Sequence, residues 1–248
     1  MKPDDVQRRA LSEQMARFGD VLAGFAHEVR NPLSTIGLNL QLIREDFVDA
    51  ESARDRRTHK RLSVVEAEVR RLQEILEEFL RYARLPGVQT APTDLNALLR
   101  AVVEFTAPEL AERGVSLRLY PGADVGLPPL DPNQIRAALV NLLRNAAEAC
   151  GPGAEVILSS RRDGNRVLIH VIDTGAGMTP EVLDRIFKPY FSTKKAGTGL
   201  GLPMVKRIVE QHGGFVAASS EPGRGTQFTL HLPAPLPAAL PQPEGDDE

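Results

Sequence analysis

Residues 155–178 read EVILSSRRDGNRVLIHVIDTGAGM. Glu155–Arg161 and Arg166–Ile172 are short apolar runs with polar residues interleaved, and Asp163-Gly164-Asn165 between them is a turn signal. The stretch therefore predicts two neighbouring antiparallel strands, the second running into the glycine-bearing loop Asp173-Thr174-Gly175-Ala176-Gly177-Met178. Immediately upstream, Asn133–Cys150 predicts a helix, with Ile135, Leu139, Leu142 and Leu143 on one face. Before it, Asp94–Arg113 predicts another helix, capped by Asp94 and stopped at Gly114. Val115–Leu119 alternates as a strand, and Pro121–Pro129 is a Gly/Pro-rich loop. Downstream, Thr198–His212 predicts a helix, and Phe215–Ser219 and Thr226–Leu232 predict strands. Mixed helices and largely antiparallel strands over residues 86–232 predict a two-layer α/β sandwich. Pro233–Glu248 is rich in Pro and Ala and ends acidic, which predicts a disordered tail.

The front of the chain has a different texture. Leu11, Met15, Phe18, Leu22, Phe25 and Val29, then Leu33, Ile36, Leu40, Ile43 and Phe47, recur at three-and-four spacing and predict one long amphipathic helix. The polar stretch Asp49–His59 breaks the stripe and reads as a connection. A second stripe, Leu62, Val65, Val69, Leu72, Leu76, Phe79 and Ala83, ends before the stop signal Leu85-Pro86-Gly87. Two long helices joined this way form an antiparallel hairpin. A lone hairpin leaves apolar stripe in water, whereas two hairpins paired into a four-helix bundle bury it. A homodimer through residues 1–85 is the expectation; a hairpin packed within its own chain against the back domain is the other arrangement the pattern allows. The fold class expected for the whole chain is α plus α+β.

Composition excludes several classes of function. The 248 residues carry 30 Lys and Arg against 33 Asp and Glu, a formal net charge of -3, with 42% hydrophobic and 25% charged residues. That is ordinary globular composition, with no basic surplus to suggest nucleic acid. A single cysteine, Cys150, excludes an internal disulfide framework and a CxxC zinc site. No run of about 18 apolar residues is present, which leaves no membrane span, and the N-terminus MKPDDVQRRALSEQ lacks the apolar core of a signal peptide. A cytoplasmic protein, or the cytoplasmic piece of a larger one, is expected. Only 26 residues precede position 27, too few for a further domain of ordinary size.

Several short motifs carry chemistry. In Phe25-Ala26-His27-Glu28-Val29-Arg30-Asn31-Pro32, His27 and Asn31 share a helical face, Glu28 stands beside His27, and Pro32 frees a backbone carbonyl so the helix can bend. A histidine with an adjacent carboxylate is a candidate nucleophile with its own base; taken alone, such a pair is far more often an ordinary surface histidine beside a helix neighbour. In Asn141-Leu142-Leu143-Arg144-Asn145-Ala146-Ala147-Glu148, Asn141, Asn145 and Glu148 line one face, a row of oxygens suited to Mg²⁺ with phosphate, or simply a solvated face. Asp173 at a strand end can accept a hydrogen bond from an exocyclic amine such as adenine's, and Gly175 and Gly177 allow backbone to approach a flat ring. Gly197-Thr198-Gly199-Leu200-Gly201-Leu202 opens a helix and aims backbone N–H groups at an anion. It is neither a Walker A motif nor a dinucleotide fingerprint. Just before it, Ser192-Thr193-Lys194-Lys195-Ala196 is a basic segment able to close over phosphates. Gly223-Arg224-Gly225-Thr226 is a turn before the last strand.

These motifs, in this order, resemble the bacterial two-component sensor histidine kinases, over about residues 15–232. FAHEVRNPLSTI looks like the H-box of the dimerisation and phosphotransfer domain, placed at residues 1–85. NLLRNAAEAC, DTGAGM, IFKPYFSTK, GTGLGL and GRGT resemble the N-box, first glycine box, F-box, second and third glycine boxes of the Bergerat-type ATP-binding domain shared with gyrase-type and heat-shock ATPases. The run HEVRNPL looks most like the nitrogen-regulation branch.

The resemblance implies an ATP-dependent histidine autokinase acting on an Asp of a response regulator. His27 would be the phosphoacceptor, Glu28 its base, and Asn31 would orient water when the partner is dephosphorylated. Asn145 would ligate Mg²⁺ with Asn141 supporting the phosphate and metal site, and Asp173 would read the adenine amine. Gly175, Gly177, Gly197, Thr198, Gly199, Leu200 and Gly201 would line the nucleotide, Thr226 would sit near the base, and Phe187 and Phe191 would anchor the lid. Lys194 or Lys195 would reach phosphate, with no basis for choosing between them. The related ATPases place a glutamate at the position of Asn141, and an amide cannot serve as a base toward water. That difference separates a kinase from a stand-alone ATPase. A nucleotide-binding scaffold would be marked by a broken motif, and none is broken here.

Overall fold

The computed structural model describes residues 29, 31–45, 52–83, 85–194 and 197–234. The chain divides into two compact units, one comprising residues to Pro86 with Lys188–Gly201, the other Gly87–Phe187 with Leu202 onward.

The first unit is a helical hairpin. Helix α1 covers 31–45 and α2 covers Ala53–Ala83. The Ser34–Gln73 hydrogen bond (3.4 Å), the approach of Gly37 to Val69 (3.6 Å from a built Cβ) and the Arg44–Glu66 ion pair (3.1 Å) descend α2 as they climb α1, so the helices are antiparallel. Val69 and Glu66 are each 7% exposed in that seam, and Glu66 also pairs with Arg70. Ile36, Leu38, Leu42 and Ile43 on α1, and Val64, Val65 and Leu72 on α2, remain exposed. The connection is shorter than its polarity suggested. Ser52 caps α2 through its side chain (Asp55 N–H to Oγ, 3.1 Å) and its carbonyl (Arg56 N–H, 3.1 Å), so most of Asp49–His59 is helix. Charged residues forfeit little helix propensity; loss of an apolar stripe marked solvent, not a loop.

The second unit opens with the extended pair β1 (Ala91–Pro92) and β3 (Pro129–Leu130), two-residue ladders too short for any periodicity to announce. Helix α3 (Leu95–Glu112) starts at Asp94, whose carboxylate accepts the Ala97 N–H at 2.9 Å, and ends where Gly114 takes φ 72. Strand β2 (Ser116–Tyr120) follows, then α4 (Pro132–Ala149), β4 (Glu155–Asp163), β5 (Arg166–Asp173), a short α5 (Pro180–Leu183), α6 (Gly201–Gln211), β6 (Phe215–Glu221) and β7 (Gly225–Pro233). The main sheet runs β2-β4-β5-β7-β6, with β2 parallel to β4 and every other pair antiparallel. One face presents Val156, Leu158, Val167, Ile169, Val171, Phe228, Leu230 and Leu232, all buried, matching the buried faces of α3 and α4. The helix expected from Thr198 begins at Gly201, and β7 continues through Pro233 to a buried Ala234, whose N–H reaches the Asn165 carbonyl (2.8 Å). Pro233 and Ala234, expected in the disordered tail, are thus ordered, and residues 235–248 lie outside the described residues. Among the described residues no helix is long and apolar enough to cross a membrane.

Candidate functional site

In the sheet unit, chemistry-bearing residues gather where the C-terminal end of α4 meets the ends of β5, β6 and β7. Helix α4 keeps Asn141 and Asn145 half-buried and Glu148 exposed on one face, while Leu142, Leu143, Ala146 and Ala147 pack into the core. The helix is held at its other end by Asp131, whose Oδ1 accepts the N–H groups of Asn133 (3.1 Å) and Gln134 (3.2 Å) and whose Oδ2 accepts that of Gln89 (3.2 Å). His212, 8% exposed at the end of α6, accepts the Asp131 N–H on Nε2 (2.9 Å) and donates Nδ1–H to the Ile208 carbonyl (2.8 Å). This joint between α4 and α6 was missed at the sequence level, although Asp131-Pro132 is a helix-start signal.

Asp173 ends β5 at 3% exposure. Its Oδ1 accepts the N–H groups of Gly175 (2.9 Å) and Thr226 (3.2 Å), which fix its direction. The loop beyond is stitched on both sides: Ala176 N–H to the Ala149 carbonyl of α4 (3.0 Å), and Gly223 N–H to the Ala176 carbonyl (2.7 Å). Gly177 takes φ 64, and a Cβ there would stand 1.9 Å from the Glu221 carbonyl oxygen. Only glycine permits that approach. Cys150, capping α4, has its thiol pushed up by burial and next by the charge of Asp173.

Strand register then sets a row across three strands. Asp173 of β5 pairs with Thr226 of β7, and Thr226 pairs with Ser220 of β6. All three are on the sheet face that packs against the helices. Phe187, expected to anchor the lid, stands edge-on to Phe228 (6.5 Å between centroids, 81°), with the Lys206 ammonium 6.0 Å from its ring.

Lys188–Gly201 belongs to the helical unit. There the Thr198 hydroxyl donates to the Glu78 carboxylate of α2 and accepts the Leu200 N–H (3.3 Å). Tyr190 N–H reaches the Gly199 carbonyl (3.1 Å), with Gly199 at φ 70; Phe191 N–H reaches the Lys188 carbonyl (3.2 Å). Lys194 and Gly197 are exposed, Leu200 is buried, and Gly201 starts α6. Asn31 is exposed on α1. His27, Glu28 and Lys195 lie outside the described residues. The structure thus brings together Asp173, Gly175, Gly177 and Thr226 beside the end of α4, one turn beyond Asn145. Among the described residues no group of three His, Cys, Asp or Glu side chains could hold a metal. Amide oxygens of the Asn141 and Asn145 type suit an ion that keeps waters and phosphate oxygens as its other ligands.

Residues 19–87 match the His Kinase A (phospho-acceptor) domain, and residues 130–236 match the histidine kinase-, DNA gyrase B- and HSP90-like ATPase family. The sensor histidine kinase ZraS of Klebsiella oxytoca is 38% identical over 226 residues, covering 90% of this chain and 48% of that protein. The crystal structure of full-length ShkA in complex with AMPPNP superposes with a TM-score of 0.68 at 28% identity, covering 89% of this chain and 47% of that one. Histidine kinase ThkA, solved in complex with the response regulator TrrA, gives 0.65 at 25% identity, covering 93% and 66%. The chain spans about half the length of ZraS and of ShkA. A phospho-acceptor domain followed by an ATPase-type domain, in a chain this similar to sensor histidine kinases, places it in the two-component histidine kinase family.

Proposed function

We propose that this chain is the ATP-dependent histidine autokinase core of a two-component system. The observation that carries the reading is the convergence of the buried Asp173 carboxylate, the Gly177 backbone and Thr226 against the end of the helix bearing Asn141 and Asn145. Residues 1–85 serve as the dimerisation and phosphotransfer domain and 86–232 as the ATP-binding domain. The exposed Ile36, Ile43, Val65 and Leu72 support pairing of two hairpins into a four-helix bundle. The run HEVRNPL, residues 27–33, supports a place near the nitrogen-regulation branch.

Asp173 accepts the adenine amine, while Gly175, Gly177 and the 197–201 segment line the nucleotide. Mg²⁺, when bound, would supply charge neutralisation on the triphosphate; Asn145 would hold it, with Asn141 beside. One ring nitrogen of His27 attacks the γ-phosphorus, the N–P bond forms as the bond to the ADP oxygen breaks, and Glu28 takes the proton from the other ring nitrogen. The phosphoryl group then passes to an Asp of a response regulator. With an amide in place of a base at Asn141, ATP is protected from water until His27 arrives. Asn31 orients a water when the partner is dephosphorylated, and Lys194 or Lys195 meets phosphate.

The test is incubation with γ-labelled ATP and Mg²⁺ beside His27→Gln. Acid-labile, alkali-stable label that disappears in the variant is expected. Label that persists in the variant would overturn His27 as the acceptor.

A further inference from the structure

Resting on the nucleotide-binding reading above, the geometry points to Ser220 as a positioning residue for base selectivity. It fixes the proton of the Thr226 hydroxyl so that Thr226 offers the base only acceptor lone pairs. Ser220 Oγ makes three contacts: it lies 2.9 Å from the Met178 N–H, 2.9 Å from the Gly225 carbonyl and 3.0 Å from Thr226 Oγ1. A hydroxyl has one proton and two acceptor sites. The Met178 N–H can only donate, and the Gly225 carbonyl can only accept. Ser220 therefore spends its proton on Gly225 and receives the Met178 N–H. Its remaining lone pair faces Thr226, so Thr226 must be the donor in that contact. The reverse assignment leaves the Ser220–Gly225 contact without a proton.

Thr226 has little freedom to escape this arrangement. It is 6% exposed, its N–H is bound to Asp173 Oδ1, and its β-branched side chain is stiff at χ1. With its proton turned toward Ser220, its hydroxyl and the Asp173 carboxylate form a pair of acceptors in one row. That pair suits a purine with a 6-amino donor and repels a purine with a 6-oxo acceptor. A site that pairs a ligand's polar group rejects the analogue that leaves its own groups unmatched. Ser220, two strands from Asp173, is thus the residue that makes the threonine a one-way group.

The test compares ADP with IDP, which differ at the 6-position, by isothermal titration on the whole chain. Wild-type protein is expected to favour ADP. In Ser220→Ala, Thr226 is free to turn its proton toward a 6-oxo group, and the ADP:IDP affinity ratio is expected to fall about fivefold to tenfold, the scale of one hydrogen bond. Ser220→Thr, which keeps the hydroxyl, is expected to retain the ratio. Ser220→Cys, a weak hydrogen-bonding partner, carries the expectation of a lowered ratio and serves if the alanine variant fails to fold. A loss of stability alone weakens both nucleotides equally and leaves the ratio unchanged. An unchanged ratio in the folded Ala or Cys variant overturns the role of Ser220. Wild-type protein that binds neither nucleotide overturns the nucleotide reading instead.

Discussion

Replacing His212 with alanine tests whether the α4–α6 joint is a structural hinge pin of the ATPase-type unit. The imidazole is 8% exposed and accepts the Asp131 N–H at 2.9 Å. Alanine leaves that N–H without its acceptor, in a place water reaches poorly, at about 1–3 kcal/mol. The Ile208 carbonyl keeps the His212 main-chain N–H at 3.2 Å, so losing Nδ1–H there costs little. Removing the ring also opens a void, adding about 1 kcal/mol at the low end of large-to-small replacements. The sum is about 3 kcal/mol. For a domain of roughly 150 residues each kcal/mol moves the midpoint by about 2–4 °C, so the expected drop is about 10 °C. Thermal unfolding followed by circular dichroism reads it directly. Because Asp131 also caps α4, which bears Asn141 and Asn145, nucleotide affinity should fall alongside stability. A midpoint within about 2 °C of wild type would show that Asp131 finds another acceptor and that the joint contributes nothing.

Gly177→Ala places a Cβ 1.9 Å from the Glu221 carbonyl oxygen at φ 64, so the loop must move. ADP affinity should fall more than about tenfold while far-UV circular dichroism stays near wild type; an affinity within twofold would refute the close-approach argument. Stability of the sheet should also decline on mild acidification. Burial, and next the charge of Arg161, lowers the pKa of His170; burial, and next Arg166, lowers that of His231. Folded-state values below the unfolded value of about 6.5 mean that the unfolded chain binds more protons, so stability is full above about pH 6.5 and is lost as pH falls through the folded values. Denaturant midpoints measured between about pH 7 and 5 should slope downward, and less steeply in His170→Gln with His231→Gln.

The sheet unit was largely legible because its signals are local and agree with one another. Asp94 and Gly114 bracket α3, the turn at 163–165 joins β4 to β5, and alternation in β7 separates buried Phe228 and Leu230 from half-exposed His231. What escaped depends on partners distant in sequence. The β1–β3 ladder has two pairs, and the parallel pairing of β2 with β4 follows from topology, not composition. The start of α2 was misplaced because a polar helix face and a polar loop look alike until Ser52 is recognised as a cap. At the site, Asp173 and the glycines were legible as a strand end and a turn. His212 and Ser220 were not, since each acts through atoms 81 and 42 residues away. Their side chains carry ordinary polarity, and only the fold gives that polarity an address.

Register explains why the site sits where it does. Side chains alternate across a strand, so a slip of one residue in β7 would send Thr226 to the opposite face and bring Gln227 inward. The buried row Phe228, Leu230 and Leu232 resists that slip, since every one of these side chains would turn toward water. Apolar packing in the middle of the sheet therefore holds the polar row Asp173, Thr226 and Ser220 at its end. The glycine at 225, whose added Cβ would meet the Asp173 carbonyl at 1.9 Å, keeps β7 close enough for Thr226 N–H to reach the carboxylate. Core and site are thus one constraint: a substitution that loosened the packing of Phe228 would be felt at Thr226 before it was felt as loss of the fold.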